Sequence, residues 1–212
     1  MNDLIQVIKV LDDKDLKIIN DHIDTLTFIP STVFTTGGKS KEAKHWRTST
    51  GTSLNDSDDV TCLFHEKINA ALVEYKERIS LISANFKCYP VPGGYETDSY
   101  REEIQILEYS PDQEYKFHHD AATNPNIKAY HRKISIIVYL TDKFTGGHTA
   151  FPHCKYRPEP GHALIFPSNW CYPHAGKPVL EGKKRIAVTW YYANDRTSWQ
   201  KNLYMICCGF IS

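Results

Sequence analysis

The second half of the chain is a succession of short β-prone runs separated by turn sequences, and this pattern restricts the possible folds most. The runs are EEIQILEYS, EYKFHHD, KISIIVYLTD, HTAFP, HALIFP and RIAVTWYY. Turn signals such as SPDQ, NPN, DKFTGG, RPEPG, PSNW and LEGKK lie between them. Many short strands with regular turns predict an all-β barrel or a double-sheet jelly roll.

The first part of the chain has a helical pattern instead. Residues 12–26 place Leu16, Ile19 and Ile23 at helical spacing, and residues 58–82 carry a longer apolar face of the same period. The segment LIQVIKVL is a candidate strand, whereas residues 31–59 are polar and are predicted as loop with short strands at most. Helices followed by strands predict an α+β, mainly β fold, with N-terminal helices packed on the outer sheet of the jelly roll.

The length of 212 residues suits one domain with an added helical layer. We therefore expect a single domain over residues 1–212, with a helical support layer over about 1–85 and a β core over about 100–205. The formal net charge is zero, which gives no strong signal for binding to nucleic acid or to an anionic membrane. The sequence predicts no oligomeric state.

The cysteines and the apolar segments indicate in which cellular compartment the protein is expected. The six cysteines form no CxxC pair, and residues 1–15 lack the pattern of a secretory signal. No apolar run approaches the roughly 18 residues of a membrane span. These features predict a cytoplasmic protein with reduced thiols and no membrane segment.

Two histidines and an aspartate are adjacent at residues 118–120. Side chains alternate along a strand, so His118 and Asp120 are expected to share one face while His119 points away. A redox-iron site needs a third ligand, because two imidazoles and one carboxylate leave the other positions open. The candidates are His131, His148, His153, His162 and His174. His174 is best placed, since it precedes a turn and a β run, and a jelly roll brings distant strands together.

A buried cation is the other feature that such a site needs. If the iron binds a 2-oxo acid, the far carboxylate requires a cation in a dry pocket. Lys184 follows His174 by ten residues and shares its strand face with Ile186, Val188 and Trp190. On spacing alone, an exposed basic turn at EGKK explains this lysine equally well.

Five ordered segments resemble the prolyl 4-hydroxylases, which are 2-oxoglutarate- and Fe(II)-dependent dioxygenases. The segments are WRTSTGT, LEYSPDQEYKFHHD, YLTDKFTGGHTAFP, PEPGHALIFPS and HAGKPVLEGKKRIAVTW. Four of these segments lie in roughly residues 101–192, which the resemblance covers, and WRTSTGT resembles a family segment that precedes the long helix; the resemblance implies a double-stranded β-helix. It implies iron ligation by His118, Asp120 and His174, and binding of the 2-oxoglutarate C5 carboxylate by Lys184. It also implies cosubstrate-pocket positions for Tyr109, Ser135 and Trp190.

The activity that the resemblance implies is hydroxylation of C-4 of proline in a peptide or protein, with release of succinate and CO2. Fe(II), 2-oxoglutarate and O2 would be required, with ascorbate as a reductant. Two alternatives remain open: the same chemistry on a lysyl, nucleic-acid or small-molecule substrate, and a non-catalytic jelly-roll binding module. The family's GQ is Asp112–Gln113 here, and its GGET is GGHT at residues 146–149, which leaves the subfamily open.

Substrate selection is expected to depend on loops. Residues 89–100 and 121–133 are turn-rich and flank the predicted iron strand, so we expect one or both to be mobile lids over an extended peptide. Arg101, Tyr130 and Arg132 are candidates for substrate contacts. For each of them, a solvated polar loop residue is the simpler interpretation.

Overall fold

The computed structural model describes residues 2–34, 40–41, 45–82 and 101–192. These ranges contain helices α1 (Asp13–Ile23) and α2 (Asp59–Ser80), close to the two predicted helical segments. The predicted lid at residues 89–100 and the predicted core beyond residue 192 lie outside the described residues. No helix in the described ranges combines the length and apolarity needed to cross a membrane.

Fifteen strands occur in the described ranges. In chain order they are β1 (Gln6–Lys9), β2 (Ile29–Pro30), β3 (Val33–Phe34), β4 (Ser40–Lys41), β5 (Thr50–Ser53), β6 (Gln105–Tyr109), β7 (Tyr115–His118), β8 (Arg132–Tyr139), β9 (Phe144–Gly146), β10 (Thr149–Ala150), β11 (Lys155–Tyr156), β12 (His162–Pro167), β13 (His174–Gly176), β14 (Val179–Gly182) and β15 (Lys184–Tyr192).

Two antiparallel sheets enclose the inner core. The larger sheet has the strand order β1-β12-β8-β15-β6-β5-β2, and the smaller has the order β11-β10-β13-β7. Between them lie apolar side chains from both sides, including Leu164, Phe166 and Ile186 of the larger sheet and Phe151, which follows β10. This arrangement confirms the predicted jelly-roll class, in which inward positions of distant strands form one core.

The helices cover the outer face of the larger sheet, as predicted. Ile19 of α1 and Phe64 and Leu72 of α2 pack in a second core with strand residues such as Ile136 and Ala187. The side chain of Asp12 caps α1 by accepting a hydrogen bond from the backbone N–H of Asp15 at 2.8 Å. Each central strand is therefore buried on both faces.

One strand of the larger sheet falls in the segment that was predicted mainly as loop. Residues Thr50–Ser53 form β5, which pairs with β6 although its sequence, TGTS, has no apolar alternation. A Cβ at Gly51 would lie 3.0 Å from the Leu107 side chain and 3.1 Å from the Ile106 carbonyl oxygen. The close approach of the two backbones thus accounts for a glycine in this strand.

Candidate active site

Three candidate ligand side chains converge at one end of the smaller sheet. β13 pairs with β7 so that His174 lies opposite His118, and Asp120 follows two residues after His118. An oxygen of Asp120 lies 3.4 Å from Nε2 of His118, and its other oxygen lies 3.6 Å from Nε2 of His174. All three ligand atoms fall within 4.8 Å of one another, the only such His/Cys/Asp/Glu group among the described residues. His119 is exposed and is not part of this group.

Backbone carbonyls orient both imidazole rings. Nδ1 of His118 lies 2.8 Å from the carbonyl oxygen of Lys116, and Nδ1 of His174 lies 3.1 Å from that of Tyr172. A carbonyl oxygen only accepts, so each Nδ1 carries the ring proton and each Nε2 keeps its lone pair for a metal. The ring of Tyr115 stacks on His118 with centroids 3.6 Å apart, which further fixes that ring.

The third candidate ligand, Asp120, is held by the larger sheet. Its Oδ2 accepts a hydrogen bond of 2.6 Å from Ser135 Oγ, and Ser135 contacts Ser168 Oγ at 2.8 Å. Burial alone raises the pKa of Asp120, but the protonated forms of His174 and His118, with Arg132, outweigh burial and hold this pKa below its usual value. The side chain is therefore a carboxylate at neutral pH.

The donor set fits the iron that the resemblance implies. Burial lowers the pKa of His174 to about 4, so this imidazole is neutral at physiological pH despite the nearby Asp120. Two neutral imidazole nitrogens and one carboxylate oxygen are the ligands of non-haem Fe(II) sites that keep positions open for other molecules. The triad thus offers the donor types that such an ion requires.

A cavity of about 530 Å³ extends from the triad between the two sheets. Its inner wall includes Leu107, Ile137, Ile186 and Val188, and it also reaches Lys184. A volume of this size accommodates a small organic ligand, and the apolar wall leaves the few polar groups to orient it.

Lys184 is buried inside this cavity, with only 2% of its surface exposed. Its Nζ donates a 2.6 Å hydrogen bond to the Gly147 carbonyl oxygen and lies 5.5 Å and 5.2 Å from the ring centroids of Tyr109 and Tyr139. Burial, with a further contribution from the nearby Arg157, lowers its pKa to about 7. The exposed-turn interpretation is therefore wrong for this residue.

The neighbours of Lys184 face elsewhere, as the strand parity predicts. Lys183 has a side chain that is 58% exposed and lies 3.2 Å from Glu108. Arg185 points to the helical layer, where it contacts Glu108 at 2.6 Å and Asp24 at 2.7 Å. Of these three adjacent cations, only Lys184 is among the residues that line the cavity.

The other predicted cosubstrate residues also reach the cavity. Tyr109, Ser135 and Trp190 all line it, and Tyr109 lies directly opposite Lys184 in the pairing of β6 with β15. Ser135 is not free in the structure, because its hydroxyl donates to Asp120. The family resemblance implied a position near the cosubstrate for Ser135 but did not identify this contact.

The structure brings one of the three candidate substrate residues to the cavity. Arg132 lines it and lies 3.6 Å above the ring of Trp190. Arg101 is buried, and its backbone forms an isolated antiparallel β-bridge with Tyr191. The side chain of Tyr191 belongs to the core beneath the helices. Tyr130 is 41% exposed and packs edge-on against His131, away from the cavity lining.

Several site residues were not identified from the sequence. Tyr115 and Arg47 line the cavity, and the Arg47 guanidinium lies 4.9 Å from the Tyr115 ring centroid. Thr149 also lines it and lies 2.6 Å from the hydroxyl of Tyr139, beside Lys184. Strand parity was the available signal for Tyr139, since it shares a face of β8 with Ser135.

Comparisons with known proteins agree with this geometry. Residues 104–193 match the sequence model of the 2OG-Fe(II) oxygenase superfamily. A putative prolyl 4-hydroxylase of Acanthamoeba polyphaga mimivirus is 36% identical over 107 residues, which are 42% of this chain and 44% of that protein. Probable prolyl 4-hydroxylase 8 of Arabidopsis thaliana is 28% identical over 188 residues, covering 74% of this chain and 57% of that protein. The chain thus spans about half the length of these curated relatives.

Solved structures share the fold. The viral collagen prolyl hydroxylase of Paramecium Bursaria Chlorella virus-1, solved as a 2OG complex, has a TM-score of 0.63 and 22% identity, covering 90% of this chain and 96% of that chain. A Trichoplax adhaerens prolyl hydroxylase, solved with a peptide of hypoxia inducible factor, has a TM-score of 0.63 and 17% identity, covering 90% and 84%. The fold is therefore the double-stranded β-helix of these enzymes. Residues 104–193 thus match the 2OG-Fe(II) oxygenase superfamily, and the chain is similar to prolyl 4-hydroxylases in sequence and in fold.

Proposed function

We propose that the chain is a 2-oxoglutarate- and Fe(II)-dependent dioxygenase that hydroxylates C-4 of proline in a peptide or protein. The supporting observation is that one cavity holds both a His118, Asp120, His174 cluster suited to iron and a buried Lys184 suited to a carboxylate. A binding module without catalysis would have no need for this combination of groups. In the proposed reaction, O2, 2-oxoglutarate and the substrate C–H bond give succinate, CO2 and the hydroxylated product.

The residues of the chain have separable tasks in this reaction. Bound iron would supply the activation of O2 and the oxidative decarboxylation. Lys184, as an ammonium, would pair with the far carboxylate of 2-oxoglutarate, in a cavity where few other groups compete for it. Ser135 holds Asp120 in place as an anion through its 2.6 Å hydrogen bond. The apolar walls exclude water, which strengthens both electrostatic interactions.

The peptide substrate is a proposal that the relatives support, since those described above are named as prolyl hydroxylases. The cavity lining also includes Arg47 and residues 29–32, in addition to the groups assigned to iron and 2-oxoglutarate, which leaves room for an extended chain. We propose that the part of residues 121–133 that precedes β8 acts as a lid over the cavity. Deletion of residues 124–129 should weaken peptide binding, and unchanged peptide affinity would contradict the lid.

The organisation and location of the chain are also proposed. The helices and the β core are proposed to act as one catalytic domain, because α1 and α2 pack on the sheet whose inner face lines the cavity. A cytoplasmic location with reduced thiols accords with Cys62 and Cys171, which form no disulfide with another described residue.

The test is production of succinate from 2-oxoglutarate with Fe(II), ascorbate and a proline-rich peptide, followed by mass spectrometry of the peptide. We expect peptide-stimulated turnover and one added oxygen on a proline. His174→Ala should abolish succinate formation, whereas His119→Ala, a matched change at an exposed histidine, should not. Turnover without any effect of the peptide would point to another substrate, and no turnover at all would contradict the proposal.

A further inference from the structure

We propose that Glu103 contributes to substrate specificity by binding a lysine or arginine side chain that lies within about three residues of the target proline. The inference rests on the proposed function, in which a peptide enters the cavity, and it specifies the charge of one residue of that peptide. The tasks assigned to the triad, to Ser135 and to Lys184 do not involve this carboxylate.

Glu103 lies on the cavity side of the larger sheet, just before β6. It lines the cavity together with Gln105, Leu107 and Tyr109, the alternate residues that follow it along the chain. Tyr109 lies opposite Lys184, at the end of the cavity proposed for the far carboxylate of 2-oxoglutarate. Residues of a strand advance by about 3.3 Å each, so Glu103 lies toward the other end of this wall.

Glu103 is also level with the residue that holds Asp120. Continuation of the pairing of β15 with β6 brings Glu103 beside Trp190, and the N–H of Glu102 donates to the Trp190 carbonyl oxygen at 2.9 Å. Trp190 in turn lies opposite Ser135 of β8, whose hydroxyl donates to Asp120. Two strand spacings therefore separate Glu103 from Ser135, a distance of about 10 Å across the sheet.

The carboxylate of Glu103 is available to a ligand. The residue is exposed, and its side chain forms no ion pair or hydrogen bond within the part of the chain that the structure describes. Asp120, the other acid among the described residues of the cavity lining, belongs to the triad. Arg47 also lines the cavity, but its guanidinium lies 4.9 Å from the Tyr115 ring centroid on the smaller sheet and donates to Ser49 Oγ at 3.0 Å.

The distance from the triad suits a residue close to the target proline. That proline must lie next to the triad for its C–H bond to be oxidised, and two or three residues of extended peptide cover the distance of about 10 Å to Glu103. Gln105 and Ser53 lie opposite each other in the pairing of β5 with β6, and both line the cavity. Their side-chain oxygens can accept further hydrogen bonds from an ammonium or a guanidinium. This wall therefore suits a cationic side chain and disfavours an acidic one.

The experiment measures kcat/KM for succinate formation with a set of peptides that each carry one proline. Lysine, glutamine or glutamate is placed in turn at each of three positions on either side of this proline. We expect lysine at one of these positions to raise kcat/KM about fivefold over glutamine, and glutamate to lower it by a similar factor. The effect should lie in KM, because the ion pair forms equally with the bound peptide and with the transition state.

Three variants connect this preference to Glu103. Glu103→Gln keeps the shape of the side chain and should remove the preference, whereas Glu103→Lys should reverse it in favour of glutamate. Comparing peptides within one variant cancels any general loss of activity. Glu77→Lys is the matched control, since it makes the same change of net charge at an exposed position of α2 away from the cavity lining, and it should keep the wild-type preference. Peptide affinities measured by calorimetry should follow the same order.

Two results would overturn the inference and leave the proposed function intact. One is equal kcat/KM for the lysine and glutamate peptides at every position, with full peptide-stimulated turnover by the wild type. The other is a preference for lysine that persists unchanged in Glu103→Gln and Glu103→Lys, since another group would then select the cation. If no proline peptide stimulates turnover of the wild type, the proposed function itself fails and the role of Glu103 fails with it.

Discussion

Replacing Lys184 by methionine should stabilise the unliganded protein while it abolishes binding of 2-oxoglutarate. Burial lowers the pKa of this lysine from 10.5 to about 7. Each tenfold change in proton affinity is worth about 1.4 kcal/mol, so burial of the ammonium costs on the order of 4 kcal/mol at neutral pH. Loss of the hydrogen bond to Gly147 offsets about 1.5–3 kcal/mol of this gain. The variant should therefore be more stable by about 1–3 kcal/mol.

The difference between the two proteins should depend on pH with a defined sign. Since the folded pKa of Lys184 is lower than that of the unfolded chain, the native state binds fewer protons between pH 7 and pH 10.5. The cost of the buried ammonium is complete below pH 7 and is relieved as the pH rises through this window. The gap in the free energy of unfolding should close by at most about 1.4 kcal/mol for each pH unit.

Urea denaturation of both proteins at a series of pH values measures this gap, and titration calorimetry measures binding of 2-oxoglutarate. Lys183→Met is the matched control, because the Lys183 side chain is 58% exposed and its loss should change stability by only about 0.5 kcal/mol. A Lys184→Met variant that is less stable than the wild type at neutral pH would refute the reasoning. So would a gap that stays constant across the pH range.

Three further predictions concern the turns at Asp112 and Gly182 and the binding of 2-oxoglutarate by Lys184. Asp112 has a backbone φ of 64°, a conformation that glycine adopts more readily than aspartate. Asp112→Gly should therefore raise the free energy of unfolding, measured by denaturation, by about 0.5–1 kcal/mol. A loss of stability would contradict this prediction. Gly182 has a φ of 75°, and an added Cβ would lie 2.1 Å from the Lys143 carbonyl oxygen. Gly182→Ala should therefore lower the free energy of unfolding by more than about 2 kcal/mol. A melting temperature equal to that of the wild type would be evidence against this strain. Binding of 2-oxoglutarate requires the Lys184 ammonium, so above pH 7 the protein should take up close to one proton on binding, and binding should weaken as the pH rises. Calorimetry in two buffers of different ionisation enthalpy measures this proton uptake. Binding that is independent of pH between about 7 and 9 would exclude this role.

The periodicity of the sequence was sufficient to predict which side of a sheet a residue faces wherever alternate side chains of a strand point to a core. The alternation along β15 separates Lys184 and Ile186 from Arg185 and Ala187, and the structure places these two sets on opposite faces of the sheet. The helices were predictable for the same reason, because their apolar residues recur at the helical period. The local sequence pattern was thus enough to predict the helical and β layers and the side of the sheet on which Lys184 lies.

Spacing alone could not decide the contacts between distant segments. Spacing left five candidate histidines for the third ligand, with His174 the best placed, and only the pairing of β13 with β7 shows it opposite His118. Strand parity placed Asp120 on the correct side, but the structure ends β7 at His118 and holds Asp120 through Ser135 instead. β5 could not be located within the segment predicted as loop with short strands, because pairing with β6, and not its own composition, makes it a strand.

The anchoring of Asp120 has a mechanical consequence. Its carboxylate is bound to Ser135 of the seven-stranded sheet, whereas the two histidines belong to adjacent strands of the four-stranded sheet. An ion shared by all three would therefore tie one wall of the barrel to the other at its open end. Amide hydrogens of β7 and β13 should then exchange more slowly once metal is added, because local separation of the walls would require the ion to dissociate.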